Sequence, residues 1–296
     1  ARFRTALLTE TEYYDVITLR ELSLVSEERV SRAEQQLDIA RARVLAGGAV
    51  QTDTLRLLLE LNRAKVVLLR DKAALKIARV QLGRRVGLAL EIDAVPVGDA
   101  PAPPLPISEE EAAEEAILNS PRALAARAAE KAAVAAVGVV RGQYLPAVNV
   151  FAQWTAFDEK YFPTATQRAF YGFRVSLPIW DRGQRELRNQ RARTERNVAR
   201  AVRNDTELEV RLESIRAFEA YNTARASADI EREAVRVAHE SLRVESERYR
   251  TGATTILDLL TSQIEVSEAE AGLVTARQIE RLALAGLEAL LGRRLF

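Results

Sequence analysis

From Gln184 to Tyr249 the chain contains neither glycine nor proline, the two residues that most readily end a helix. At 1.5 Å per residue a helix over this run is about 100 Å long. Few globular domains have room for such a rod, so the fold must be built around it. Apolar residues on the rod fall into two seams. One is Val235, Ala238, Leu242 and Tyr249; the other is Ile230, Ala234, Val237 and Val244. A helix with two apolar seams has two helical neighbours, which suits a closed ring or cylinder of helices better than a two-stranded rod. An ordinary bundle helix is the other reading of the same pattern.

The end of the rod, RYRTGATTILDLL at 248–260, repeats an earlier stretch, RVLAGGAVQTDTL at 43–55. At an offset of 205, Arg43 falls on Arg248, Gly47 on Gly252, Asp53 on Asp258 and Leu55 on Leu260. Upstream, Glu28, Val30, Ala33 and Leu37 fall on Glu233, Val235, Ala238 and Leu242. Further on, LGRRV at 82–86 matches LGRRL at 291–295 at an offset of 209, so the second copy has gained about one helical turn. In the first copy Val30, Ala33, Leu37, Ala40 and Val44 step by three and four, a coiled-coil seam.

Each copy therefore predicts a long helical hairpin. A helix ends at Gly47 or Gly252, the expected C-terminal caps. A short turn follows, and a second helix starts near Thr52 or Thr255 and returns antiparallel over 52–86 or 255–291. Gly47 and Gly48 do not make a phosphate loop, because no strand precedes them and no Lys-Ser/Thr follows.

Between the copies, the proline-rich EIDAVPVGDAPAPPLPI at 91–107 predicts an extended linker. Residues 108–143 predict two shorter helices, the first opened by a Ser108–Glu111 capping box and the second by Ser120 before Pro121. The character changes over 144–180, which holds more than half of the aromatic residues and both tryptophans. At 168–180, Tyr171, Phe173, Val175, Leu177 and Ile179 alternate with Gly172, Arg174 and Ser176, a strand with one apolar and one polar face. At 144–157, Val148, Val150, Ala152 and Trp154 share a face, with Phe151 and Phe157 on the other. Strands of about 10 residues with an apolar outside and a polar inside fit a membrane-spanning barrel hairpin. Tyr171, Phe173, Val175 and Leu177 would then meet lipid, and Arg174 and Ser176 the lumen. A soluble hairpin packed on helices is the alternative.

The 43 basic and 42 acidic residues nearly cancel and form no basic stripe, so nothing points to nucleic acid. No cysteine is present, which excludes disulfides and thiolate metal sites, and no run of about 18 apolar residues marks a transmembrane helix. Residue 1 is Ala and no Met occurs, which predicts a processed chain or a fragment. His239 is the only histidine and has no catalytic or metal-binding company, so neither an enzyme nor a cofactor is expected.

A strand hairpin ending in LPIWDRG, a very long helix, a turn of the form RYRTGATTILDLL and a return helix together resemble the outer membrane efflux proteins, the TolC family. The duplication fits that family, an internal tandem repeat of one strand hairpin and one helical hairpin per half. The resemblance covers essentially the whole chain. It implies a mainly α fold, with long antiparallel helical hairpins forming an α-barrel in a homotrimer and a transmembrane β-hairpin contributing to a β-barrel. The segments become a first-repeat periplasmic hairpin at 1–90, the linker at 91–107, second-repeat short helices at 108–143, a transmembrane hairpin at 144–180 and a second-repeat periplasmic hairpin at 181–296. The implied role is an exit duct in the outer membrane of a Gram-negative bacterium, joined through a periplasmic adaptor to an inner-membrane transporter. The first copy here starts within its long helix, so about 100 further residues, with a second strand hairpin, are expected before Ala1. A trimer would then supply twelve strands rather than six.

At the tip the family places an acidic ring near the second corner, a role that falls on Asp258, with Asp53 as its equivalent in the first repeat. Tyr249, Thr254, Gly252, Gly47 and Gln51 become the tip contacts. The family's second acidic position is Thr261 here, and Thr254 stands where the best-known members carry an Arg. Capping of the return helices is the alternative role for both aspartates. A soluble coiled-coil scaffold or adaptor with an inserted β-hairpin is the rival to the duct as a whole.

Overall fold

The computed structural model describes residues 2–95, 104–157 and 166–296. Along them run α1 (Arg2–Leu45), α2 (Gln51–Val86), α3 (Glu109–Asn119), α4 (Pro121–Gly142), β1 (Ala147–Phe157), β2 (Thr166–Ser176), α5 (Gln184–Thr251) and α6 (Ile256–Leu291). The breaker-free run is one helix of 68 residues. The chain divides into two compact units, Ala1–Ala116 with Leu212–Phe296, and Ile117–Arg211.

In the first unit the predicted seam of α1 packs against α2. Ala33, Leu37 and Ala40 are buried with Leu57 and Leu61, and Tyr249, Ile256 and Leu259 close the same cluster. Val30 is only partly buried there. A second cluster joins Val16 and Ile17 to Leu75, Ala78 and Leu82. Each fully buried leucine or isoleucine contributes about 2 kcal/mol, so these clusters hold the hairpin closed. The other face of α1 meets α6 through polar contacts. Arg32 donates two hydrogen bonds to Glu270 (3.1 and 2.7 Å), and Gln278 donates to Asp15 (2.6 Å). The same Glu270 receives His239 of α5 at 3.0 Å, which gives the lone histidine an interfacial place.

At its start the linker packs onto the first hairpin. Ile92 and Ala94 join the second cluster, the Tyr13 hydroxyl donates to the Val95 carbonyl (2.6 Å), and Arg79 pairs with Asp93 (3.1 Å). Gly83 permits this return, since a Cβ there would lie 2.0 Å from the Leu90 carbonyl oxygen. Residues 96–103 of the linker lie outside the described residues.

In the second unit α4 runs antiparallel along the first half of α5. Arg122 pairs with Glu209, Arg127 with Glu207, and Glu130 with both Arg200 and Arg203. The Ser120 cap forms as expected, its hydroxyl accepting from Arg122 N ahead of Pro121. In the first unit the Ser108–Glu111 capping box is likewise in place.

The two strands pair antiparallel from Ala147↔Ser176 to Phe157↔Thr166. β1 starts later than the run at 144–157 predicts, and β2 starts two residues ahead of the run at 168–180 and ends four short of it. Tyr144 and Leu145 are still held by bonds to Arg141 and Gly142 in a turn leaving α4. Pro146 and Pro178 lack the N–H a ladder needs, so pairing stops between them. Leu177 and Ile179 therefore lie beyond β2. The loop between the strands, at 158–165, falls outside the described residues.

Candidate functional site

The two helical corners are near copies in backbone. Gly47 and Gly252 stand at φ 74 and 79, the left-handed region where a side chain is strained. In the first corner Gly48 N donates to the Arg43 carbonyl (2.8 Å) and Gly47 N to Val44 (3.0 Å). In the second Ala253 N donates to Arg248 (2.8 Å) and Gly252 N to Tyr249 (3.1 Å). The arginines repeat as well. Arg43 donates to the Gly48 carbonyl (2.7 Å), and Arg248 reaches the Ala253 carbonyl (3.5 Å).

Arg43 then does what Arg248 does not. It donates to the Tyr249 carbonyl and lays its guanidinium over the Tyr249 ring, 4.4 Å from the centroid. One side chain thereby ties the first corner to the last turn of α5 and brings both corners to one level. The Arg43 role was missed in the sequence, where the only signal was its repetition as Arg248.

Tyr249 is 2% exposed, and among the described residues its hydroxyl has no hydrogen-bond partner of ordinary geometry. Burial raises its pKa first, and the nearby Asp53 carboxylate raises it further, while Arg43 opposes both. Asp53 is thus brought to Tyr249. It is not taken up in capping, because the cap position of α2 is Val50 and carries no side-chain bond. The return helix starts at Gln51, one residue before the expected Thr52 and at the position equivalent to Ile256, where α6 starts.

In the second copy Thr255 caps α6 and Asp258 completes a capping box. Asp258 Oδ2 accepts from Thr255 N (3.1 Å), Thr255 Oγ1 (2.7 Å) and Thr254 Oγ1 (3.0 Å). These bonds, the Thr255 hydroxyl first, hold its carboxyl below the ordinary carboxylate range. The residue remains exposed. Thr261 bonds back to the Leu257 carbonyl (2.9 Å), so it adds no charge at this level. Gln51 and Thr254 both stand exposed or half-exposed on the corners, where an incoming chain could reach them.

The hairpin forms the other candidate surface. Its register puts Val148, Val150, Ala152 and Trp154 on one face with Val175, Phe173, Tyr171 and Ala169. That face is uncovered, with Val150 and Tyr171 each 83% exposed. The opposite face carries Asn149, Gln153 and Thr155 with Arg168, Arg174 and Ser176. Phe151, the apparent misfit, pairs across with Gly172, and a Cβ at Gly172 would lie 2.9 Å from its ring. The ring also tilts against Phe170 at 5.5 Å and lies 5.9 Å from the Arg174 guanidinium. Glycine thus makes room for an aromatic on the polar face.

The family model described as outer membrane efflux protein matches residues 112–293. The outer membrane efflux protein BepC of Brucella suis is 26% identical over 274 residues, 89% of this chain and 58% of that protein. Protein CyaE of Bordetella pertussis is 26% identical over 286 residues, 94% of this chain and 60% of that one. This chain thus spans well under two thirds of the length of both. In solved structures, the outer membrane protein VceC of Vibrio cholerae superposes with a TM-score of 0.80 at 18% identity, covering all of this chain and 71% of VceC. The fold is shared with that protein.

Proposed function

Because the chain belongs to the outer membrane efflux protein family, we propose that three copies of the protein form an outer-membrane channel continued by a helical tunnel in the periplasm. The channel acts as a passive, non-catalytic exit duct for a tripartite efflux or type I secretion system. The observation that carries this reading is the hairpin. Two strands of 11 residues sort their side chains into one continuous, uncovered apolar face and one face bearing Arg168 and Arg174. In water that apolar face is a liability; in a barrel wall it meets lipid while the arginines face the aqueous lumen. Tyr171, Phe173 and Val175 are the lipid-facing residues, with Leu177 following just beyond the strand. Arg174 and Ser176 face the lumen.

In this reading the paired corners form the periplasmic tip, and an adaptor protein docks on them beside Gln51, Thr254, Gly47 and Gly252. Asp258 and Asp53 stand near the neck, where threefold symmetry concentrates negative charge. An inner-membrane transporter supplies the energy and selects the substrate.

Fractionation tests the reading. The full-length protein should sediment with outer membranes, resist salt extraction, require detergent for release and run as a trimer by mass. Reconstituted in planar bilayers it should conduct ions without nucleotide. A protein released by salt as a monomer would instead be the soluble coiled-coil scaffold.

A further inference from the structure

The near-cancellation of charge over the whole chain hides a separation. Residues 117–211, the unit that carries the hairpin, hold sixteen arginines and lysines against nine aspartates and glutamates, whereas the remaining residues hold 27 against 33. The excess gathers where α5 starts, with seven arginines against three acidic residues over 181–200.

Pairing differs along the helix as well. Further along α5, Arg232, Arg236, Arg243, Arg248 and Arg250 each pair with a carboxylate three residues earlier. Near the hairpin, Arg141, Arg182 and Arg191 are exposed, and none of the three forms an ion pair among the described residues. Arg182 also stands at φ 57, the one described non-glycine residue in the left-handed region, where glycine would fit with less strain.

These arginines lie at the base of the hairpin. The Tyr144 hydroxyl donates to Glu186 (3.0 Å), and the Arg185 guanidinium lies 5.2 Å from the Tyr144 ring centroid, which fixes the end of α4 beside the start of α5. Arg141 is one turn before Tyr144, and Arg182 is six residues after Ser176, which pairs with Ala147 at the end of the ladder. Between the ladder and the arginines, Leu145, Ile179 and Trp180 are exposed at 68%, 89% and 82%. A strand of 11 residues tilted by about 40° crosses roughly 28 Å, close to the apolar band of about 25 Å in a barrel wall. The chain leaving the bilayer then presents apolar and aromatic side chains to the interface and arginines just beyond it, the order in which an interface grades from acyl chain to phosphate.

We infer that Arg141, Arg182 and Arg191 bind the headgroup phosphates of anionic phospholipids in the leaflet facing the helices. A guanidinium takes a phosphate through two parallel N–H bonds, and an anionic leaflet concentrates phosphates at this level. Charge complementarity and continuity with the uncovered apolar face of the hairpin make lipid the occupant. This rests on the membrane-spanning hairpin of the proposed function and adds which lipid it selects.

The test reconstitutes the full-length protein in phosphatidylcholine vesicles carrying a trace of spin-labelled phosphatidylglycerol or spin-labelled phosphatidylcholine. Electron paramagnetic resonance then reads the fraction of each lipid immobilised against the protein. One arginine at an anionic surface gives about a fivefold preference, so wild type should favour phosphatidylglycerol at least about fivefold. Replacing Arg141, Arg182 and Arg191 together by Gln should bring the preference close to one, and replacing them by Lys should retain most of it. Salt at 1 M, where the screening length is about 3 Å, should abolish the preference of wild type. Arg236→Gln with Arg243→Gln should leave it unchanged. Equal immobilisation of the two lipids by wild type, or a preference that survives the Gln replacements or 1 M salt, overturns the inference and leaves the membrane-spanning hairpin standing. Loss of the preference in inorganic phosphate but not in chloride of equal ionic strength would mark a site for the free ion and overturns it too. If the Gln variant does not insert, the wild-type lipid ratio and its salt dependence still decide. Absence of any immobilised lipid around wild type overturns this inference and the membrane reading together.

Discussion

A single arginine placed at neighbouring positions of β1 separates a lipid-facing hairpin from one that packs in water. Ala152 pairs with Tyr171 at the centre of the ladder, on the apolar face, and Gln153 pairs with Phe170 on the face that already carries Arg168 and Arg174. If the apolar face meets lipid, Ala152→Arg puts a charge at the midplane at a cost of roughly 2 to 4 kcal/mol, or about 30- to 1,000-fold in the folding equilibrium of each copy. Gln153→Arg faces the lumen and should cost a few tenths of a kcal/mol, about the size of one added like-charge neighbour in a sheet. The register also predicts a gradient. Val175 pairs with Val148, one step from the end of the ladder, so Val175→Arg should fall to about 0 to 1 kcal/mol as the charge nears the interface. The assay is urea-controlled refolding of the full-length protein into phospholipid vesicles, read by protease protection. Ala152→Arg should shift the midpoint strongly, Val175→Arg weakly and Gln153→Arg hardly at all. Equal shifts for Ala152→Arg and Gln153→Arg would refute the membrane assignment, because a hairpin exposed to water on that face accepts arginine at either position.

At the corners, Arg43→Ala removes two bonds to carbonyls and a stacked ring, and should cost about 1.5 to 3 kcal/mol in a denaturation series. Arg248→Ala should cost under about 1 kcal/mol, and only Arg43→Ala should speed hydrogen exchange at the amides of both corners. Asp258→Asn keeps an acceptor for the Thr255 cap but removes the charge that strengthens its bonds, so the first turn of α6 should exchange its amides faster while cation preference in single-channel recording falls; an unchanged preference would leave Asp258 as a cap only. Since bonds to the ionised carboxylate depress the Asp258 pKa, its contribution to the cap is complete above the ordinary carboxylate value. It should be lost only as pH drops below that value through the depressed one, which amide exchange in the first turn of α6 would report. Cysteines at Gln51 or Thr254 should crosslink to a periplasmic adaptor, and crosslinks confined to 96–106 would show that the corners are not the docking tip.

What periodicity and punctuation can encode was legible: the uninterrupted α5, the glycine corners, the capped α3 and α4, and the two faces of β2. Strand limits were less so, because alternation continued through Leu177 and Ile179 while the ladder was stopped by Pro146 and Pro178 on opposite strands, a fact about pairing. Phe151 looked out of place until pairing set it over Gly172. The corner clamp was hidden for a similar reason. Arg43 and Arg248 match in sequence and bond their own turns alike, yet Arg43 reaches across to the neighbouring hairpin while Arg248 pairs with Glu245 on its own helix. The two aspartates carry this asymmetry furthest. Asp258 follows a threonine at the cap position and spends its carboxylate inside its own turn. Asp53 follows Val50, which cannot cap, and its carboxylate lies instead against the buried Tyr249. One substitution at the cap position thus changes what an equivalent aspartate can do. In the second repeat it stabilises a helix start, and in the first it is available to the contact between hairpins, so the duplicated backbone carries two different corners.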